Sequence, residues 1–282
     1  MKAADRRVAR HTRHSDSPDP RPLLDADEPA AFEVLNSQGE SRAFLVCDHA
    51  SNAIPRGLVD LGLGPEQLAQ HIAWDPGAAA VARGLAARLD APLVLGGYSR
   101  LIVDLNRPLA SPESMPEQSA GVVIPGNCNL SRQARAARAA ALFSPYHQAV
   151  GRLLDARADR QPLLLSIHSF SPKLDGRSRP WQVGVAYGRD RRLADLMRHG
   201  LGLRGDLRVG DNQPYGIEDE NDYTLPTHGE GRGIGHVMIE IRQDELRTLA
   251  AVGAWVERLA GAYARAEKSF LDPRFSCDRP CG

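Results

Sequence analysis

Three runs of apolar residues break off at polar ones, and this pattern constrains the chain more than any other feature. AFLVC at 43–47 gives way to Asp48, His49, Ala50, Ser51 and Asn52. Pro162 to Ile167 runs into His168, Ser169 and Ser171, and HVMIEIR at 236–242 carries Glu240 inside its apolar stretch. Runs this short and continuously apolar read as strands buried on both faces, which is the signature of a largely parallel sheet covered by helices. Helical patterns lie between them. GAAAVARGLAARL ends near Leu89, with Asp75 and Pro76 as its cap and first turn. Residues 131 to about 159 have Ser131 as a cap and Pro145 as a kink or break. Further helices are expected near 190–200 and from about Asp244 to Lys268. PLVLGG, RLIVDL and WQVGVAYG (181–188) complete the expected strands. The fold class expected is α/β: one domain, a mixed, mostly parallel sheet flanked by helices.

The domain is bounded at 31–272. Residues 1–30 carry Pro18, Pro20, Pro22 and Pro29 among alternating charges and read as a disordered tail, and 273–282 as a C-terminal tail. Composition excludes several classes. Thirty-five basic residues balance thirty-five acidic ones, so no general attraction to nucleic acid or anionic membrane is expected, and a small-molecule substrate fits better. No apolar run approaches the roughly 18 residues of a membrane span. The basic residues among the first 14 lack the apolar core of a secretory signal, so a cytoplasmic location is expected. Cys47, Cys128, Cys277 and Cys281 form no CxxC pair and read as reduced thiols. Oligomeric state is left open.

In open α/β sheets the site lies at the carboxyl ends of the strands, which is where His49, His168 and Glu240 fall. Neutral imidazoles so placed are typical metal ligands, the alternative for each being a structural histidine bonded to backbone. A carboxylate inside VMIEI needs a partner or a task. It either pairs with Arg242 or another base, or serves as a general base with a raised pKa. Arg100, Asn106 and Arg107 in SRLIVDLNRP are suited to gripping a substrate carboxylate, the alternative being a surface pairing with Asp104. Gly229, Gly231, Gly233 and Gly235 precede a strand instead of joining strand to helix, so they mark a loop and not a dinucleotide site. Gly97, Tyr98 and Ser99 lack the closing glycine of a nucleophile elbow.

LLLSIHSFSP and MIEIRQD resemble the second-histidine and catalytic-glutamate segments of zinc carboxypeptidases. SRLIVDLNRP resembles the carboxylate-holding segment of those enzymes and of aspartoacylases. The full set VCDHASNAIP, HIAWDPGA, YSRLIVDLNRP, HSFSP, VGDNQPYGI, DYTLPTHGEGRG and IEIRQDEL is similar to the N-formylglutamate amidohydrolase family over about residues 43 to 260. The resemblance implies a zinc-carboxypeptidase-like fold and hydrolysis of N-formyl-L-glutamate to formate and L-glutamate with a divalent metal, zinc by preference, usually in histidine catabolism. By the same resemblance His49 and His168 match metal ligands, Glu240 the carboxylate that activates water, and Arg100, Asn106 and Arg107 the substrate-carboxylate group.

The carboxypeptidases have HxxE at the first ligand, whereas Asn52 stands at that place here. Asp75, in the family-like WDPGA segment, is then the candidate third ligand, with helix capping as its alternative; Asn52 would hold a water or the substrate. Tyr215, Tyr223 and His228, in a loop from Asp211 to Gly233 that reads as a mobile lid, and Arg242 complete the expected substrate-binding set. Two rival readings keep the site: a deacylase or peptidase acting on another N-acyl amino acid, and a non-catalytic metal- or ligand-binding homologue. Retention of Glu240 argues against the second.

Overall fold

Along a strand successive side chains point to opposite faces of the sheet, and this period of two sorts the whole molecule. In the computed structural model, which describes residues 22–272 apart from 175, seven strands form one sheet: β1 (Phe32–Leu35), β2 (Ala43–Cys47), β3 (Leu93–Gly96), β4 (Leu163–Phe170), β5 (Val183–Ala186), β6 (Val209–Asp211) and β7 (His236–Arg242). Their order is β1-β3-β2-β4-β7-β5-β6. The four central strands β3, β2, β4 and β7 are parallel, while β1 runs antiparallel to β3 and β5 antiparallel to β7. The fold is thus mixed α/β with a mostly parallel sheet.

Ala43, Leu45 and Cys47 of β2, Leu165 and Ile167 of β4 and Val237, Ile239 and Ile241 of β7 face one core, packed by α1 (Ala78–Leu89), α4 (Arg192–Gly202) and α6 (Leu249–Phe270). The alternate residues Phe44, Val46, Leu164 and Met238 face a second core. There they meet Leu142 and Phe143, Tyr146, Val150 and Leu154 of α3 (Ser144–Asp155), and Leu225 of α5 (Thr224–His228). α2 (Arg132–Arg138) is capped by Ser131 Oγ and leads through a π-helical turn at Ala139–Phe143 into α3, with Pro145 in the first turn after it. Extending the second face toward the carboxyl ends of the strands gives Ser166 and His168 on β4 and Glu240 on β7, with Asp48 one residue beyond β2. The register sets Glu240 directly opposite His168.

Four expectations are corrected. RLIVDL is no strand. The free side of β3 is already paired with β1, so residues 101–105 turn back over the second core, with Ile102 N–H donating to Ser99 O, Asp104 N–H to Ser114 O and Arg107 N–H to Asp104 O. β4 continues three residues past Ile167, so His168 is inside the strand. α1 begins at Ala78 and not at Asp75, because Gly77 takes φ 85° and a Cβ there would lie 2.6 Å from Leu246 Cβ. The last helix starts at Leu249, five residues late, after a 3₁₀ turn at Gln243–Leu246 and a Thr248 cap. β1 and β6 are short edge strands that the sequence pattern did not reveal.

Of the stretch set aside as a tail, residues 1–21 lie outside the described residues. Residues 22–30 pack on the domain: Leu23 and Leu24 reach the second core, and Tyr98 Oη donates to Pro29 O at 2.6 Å. Residues 273–282 also lie outside the described residues. No helix among those described is long and apolar enough to cross a membrane.

Ile239, fully buried on the face away from Glu240, tests this division. Ile239→Ala should cost about 2–5 kcal/mol in urea unfolding while leaving the pocket side of β7 in place. A loss below about 1 kcal/mol would mean that β7 does not anchor the first core.

Candidate active site

Three connections deliver the polar cluster. The chain leaves β2 through Asp48 and His49, enters α1 through Asp75, and crosses the pocket edge at His168 in β4. His49, Asp75 and His168 are 3%, 1% and 2% exposed, and one ligand-capable atom from each lies within 4.8 Å of the others. His49 Nδ1 stands 3.4 Å and His168 Nδ1 3.0 Å from Asp75 Oδ2, the same oxygen that accepts the Ser169 N–H.

The far side of each ring is held by its own carboxylate. His49 Nε2 donates to Asp104 Oδ1 at 2.7 Å, and His168 Nε2 faces Asp48 Oδ2 at 3.2 Å and Ser166 Oγ at 2.9 Å. A carboxylate can only accept, so Nε2 carries the proton in both rings and Nδ1 is turned inward. This is the arrangement by which metal-ligating histidines are oriented. The carboxylates are anchored in turn. Asp104 receives the Arg100 guanidinium and the Asn106 N–H, and Asp48 receives the Tyr146 and Thr224 hydroxyls at 2.7 and 3.0 Å.

Burial opposes charge on Asp48, but its hydrogen bond to His168 overrides it and holds the carboxyl down at about 2. Burial likewise opposes charge on Asp104, and the Arg100 guanidinium and His49 overcome it, so that its pKa lies well below the usual range. Burial also works against charge on His168, yet the hydrogen bonds to Asp48 and Asp75 raise the imidazole well above its ordinary value. A field strong enough to keep a proton on a buried imidazole is one that a cation balances equally well.

The donor set fits a divalent metal. Two imidazole nitrogens and a carboxylate oxygen converge, and His49 Nδ1 and Asp75 Oδ1 are buried without a hydrogen-bond partner. Glu240 Oε2 is a third such atom. Burial pushes the Glu240 carboxyl up to about 7, the positive charge of His168 pulling against it and the Asp75 carboxylate adding to it. Among the described residues no arginine pairs with it: Arg242 is engaged by Asp244, Glu245 and the carbonyls of Arg179 and Trp181, outside the pocket.

The cluster opens into a cavity of about 420 Å³ lined also by Arg100, Asn106, Arg107, Tyr215, Glu218, Asp222 and His71. Of the expected substrate-binding residues, Arg100, Asn106, Arg107 and Tyr215 therefore border it. Asn106 is largely spent on structure: its Nδ2 donates to Asp222 and its Oδ1 accepts the Tyr223 and Thr224 N–H groups. Asn52 donates to Leu68 O away from the cavity, and Tyr223 meets Phe143 and His147 edge to face. His228 lies behind, paired with His147. Within the segment read as a lid, residues 224–228 are helical. Asp48, Asp104 and His71 are site residues that sequence reasoning did not assign. All three lay in quoted motifs, Asp104 only as the partner of a surface pairing, but no local pattern marks a second carboxylate behind an imidazole.

The chain belongs to the class of hydrolases acting on amide bonds, as the match to its family model shows. More narrowly, it is a member of the N-formylglutamate amidohydrolase family, whose model matches residues 41–247. A gene product from Agrobacterium tumefaciens has a similar solved structure, with a TM-score of 0.86 and 38% identity over 89% of this chain and 100% of that one. The N-formylglutamate amidohydrolase of Ralstonia eutropha shares the fold at 17% identity and a TM-score of 0.58, over 85% of this chain and 98% of its own. Among curated proteins none matches the chain.

The paired histidines behind the site give a pH test. His147 Nε2 donates to Leu105 O at 2.8 Å, which leaves its Nδ1 to accept from His228 Nε2 at 3.1 Å. Burial pushes His147 down to about 4 and His228 to about 3, so both are neutral when folded. Below the unfolded value of about 6.5 the unfolded chain binds more protons than the folded one. Stability from this pair is therefore full above about 6.5 and falls with pH, His147 alone losing about 3 kcal/mol by pH 4. Urea unfolding between pH 7 and 4 should show a shallower acid loss in His147→Gln than in the wild type. Equal slopes would mean that the pair is not kept neutral.

Proposed function

We propose that the protein hydrolyses N-formyl-L-glutamate to formate and L-glutamate, using a divalent metal, zinc by preference, held by His49, Asp75 and His168. The observation that carries this reading is the Glu240 carboxylate: buried, unpaired at Oε2, in register with His168 and with its pKa raised to about 7. A carboxyl so poised both takes and returns a proton near neutrality, which is what amide hydrolysis asks of a general base. A metal at this position supplies Lewis acidity toward the formyl oxygen and lowers the pKa of bound water.

The remaining work is done by the chain. Asp104 and Asp48 hold the two imidazoles by their Nε2 protons and keep Nδ1 of each directed inward. Glu240 Oε2 accepts the proton of the attacking water and delivers it to the departing amine nitrogen. Arg100 and Arg107, which line the same cavity, orient a substrate bearing carboxylates, and Arg107 retains guanidinium nitrogens beyond the Nη1 that reaches Asp222. On this reading the partner is a small dicarboxylate-bearing molecule and not a nucleic acid or a membrane. Breakdown of histidine is a context that would supply it, in the cytoplasm.

Formate release from N-formyl-L-glutamate by protein stripped with chelator, before and after zinc is restored, tests the reading. Activity should appear only with metal; no activity with any divalent metal would overturn it. Glu240→Gln should lower kcat by about 10²–10⁴-fold with KM nearly unchanged, and wild-type turnover in that variant would remove the general-base role. His168→Ala should retain the fold by circular dichroism but lose zinc in equilibrium dialysis. Undiminished zinc binding there would place the metal elsewhere.

A further inference from the structure

His71 is the imidazole of the cavity whose outward nitrogen is uncommitted. In His49 and His168 Nε2 is held by a carboxylate and Nδ1 is turned inward toward Asp75, at 3.4 and 3.0 Å. In His71 only Nδ1 is engaged: Gln243 Nε2 donates to it at 2.8 Å, while Gln243 also leans on Ser169 O and Oγ at 3.4 and 3.3 Å. An amide nitrogen can only donate, so Nδ1 accepts and the neutral ring carries its proton on Nε2. Asp75 Oδ1 also stands 3.2 Å from this Nδ1, farther than the Gln243 amide at 2.8 Å. The side chain is 27% exposed, and Nε2 is not among the buried unpartnered atoms.

The direction of that N–H follows from the shape of the ring. The Nδ1 edge faces Asp75 and Gln243, so the Nε2 edge projects away from the metal-ligand cluster. There His71 shares a wall with Arg100 and Arg107: the three border both the main cavity and a neighbouring one of about 160 Å³, which touches none of His49, His168 and Glu240. Two guanidiniums and an imidazole N–H along a wall that runs on from the main cavity into one that Glu240 does not border offer donors to an anionic group at the far end of a substrate.

We propose that His71 is a specificity-determining residue: its Nε2–H reads the side-chain carboxylate of the amino acid whose amide is cleaved, and Gln243 sets the tautomer that lets it do so. The assignment rests on the N-formylglutamate reading above and adds to it the group that separates glutamate from its neutral isostere. His71 takes no proton and forms no bond to the reacting carbon. It acts on binding of the far end alone.

The test uses the zinc-loaded full chain with N-formyl-L-glutamate and N-formyl-L-glutamine, in the wild type, His71→Ala and His71→Gln. A hydrogen bond to a charged group corresponds to roughly tenfold or more in affinity. His71→Ala should raise KM for the glutamate substrate by about that factor, with kcat changed less than about threefold and KM for the glutamine substrate nearly constant. His71→Gln, which restores an N–H donor, should recover most of the loss. Calorimetry with the products is the readout independent of turnover: L-glutamate binding should weaken by about tenfold in His71→Ala and L-glutamine binding should not. Equal losses on both substrates, or a fall in kcat at constant KM, would overturn the assignment. If the wild type released formate from neither substrate the functional reading would fail. The L-glutamate and L-glutamine titrations would then judge His71 by themselves, and equal affinities in wild type and variant would refute it.

Discussion

The inward turn of two imidazoles, each fixed from behind by a carboxylate, is the constraint on which the rest of the structure depends. Asp48 and Asp104 are charged groups inside the protein, and a buried charge persists only where partners are supplied. Asp48 accordingly draws Tyr146 from α3, Thr224 from α5 and Ser166 from β4, while Asp104 draws Arg100 and the backbone of Asn106. Helices packed on the second core, the irregular segment after β3 and the strand edge are thus all tied to the same pair of rings. The apolar packing sets where these elements lie; the carboxylates set how the last turn of each is oriented.

The fold was legible wherever a residue's burial followed from its place in a run. β2, β4 and β7 stand out because central parallel strands are apolar on both faces, and β7 lies where the sequence placed it. RLIVDL misled for the same reason: it is as apolar as a strand because residues 101–105 cap the second core, and composition cannot distinguish a strand from a buried turn. The edges β1 and β6 are half exposed or only three residues long, too little for a pattern to register.

At the site, His49, His168 and Glu240 could be picked out as polar residues that interrupt or end buried strands. Asp75 could not be separated from a helix cap by local pattern, because Asp followed by Pro is what a helix start looks like; its role depends on Ser169 and His168, 94 and 93 residues away. The supporting carboxylates were invisible for the same reason, Asp104 passing for the partner of a surface arginine. Membership of a motif also says nothing about which way a side chain points. Tyr223 and His228 lie in family-like segments and yet form, with Phe143 and His147, a ring cluster beneath the pocket.

Asn106 ties two parts of the molecule that have different jobs. It grips Asp222 and the start of α5 with its side chain while its backbone N–H belongs to the Asp104 turn. The segment between β6 and α5 is consequently pinned at its far end to the turn and not to the sheet. Residues 213–221 meet the sheet at a few points, Gln213 O lying against Gly184 and Ile217 N–H donating to Tyr187 O, and most of their other side chains are exposed along the rim of the cavity, away from the strands that carry His168 and Glu240. Within such an architecture new substrate preferences could arise by rewriting one surface loop, with the hydrolytic core inherited intact.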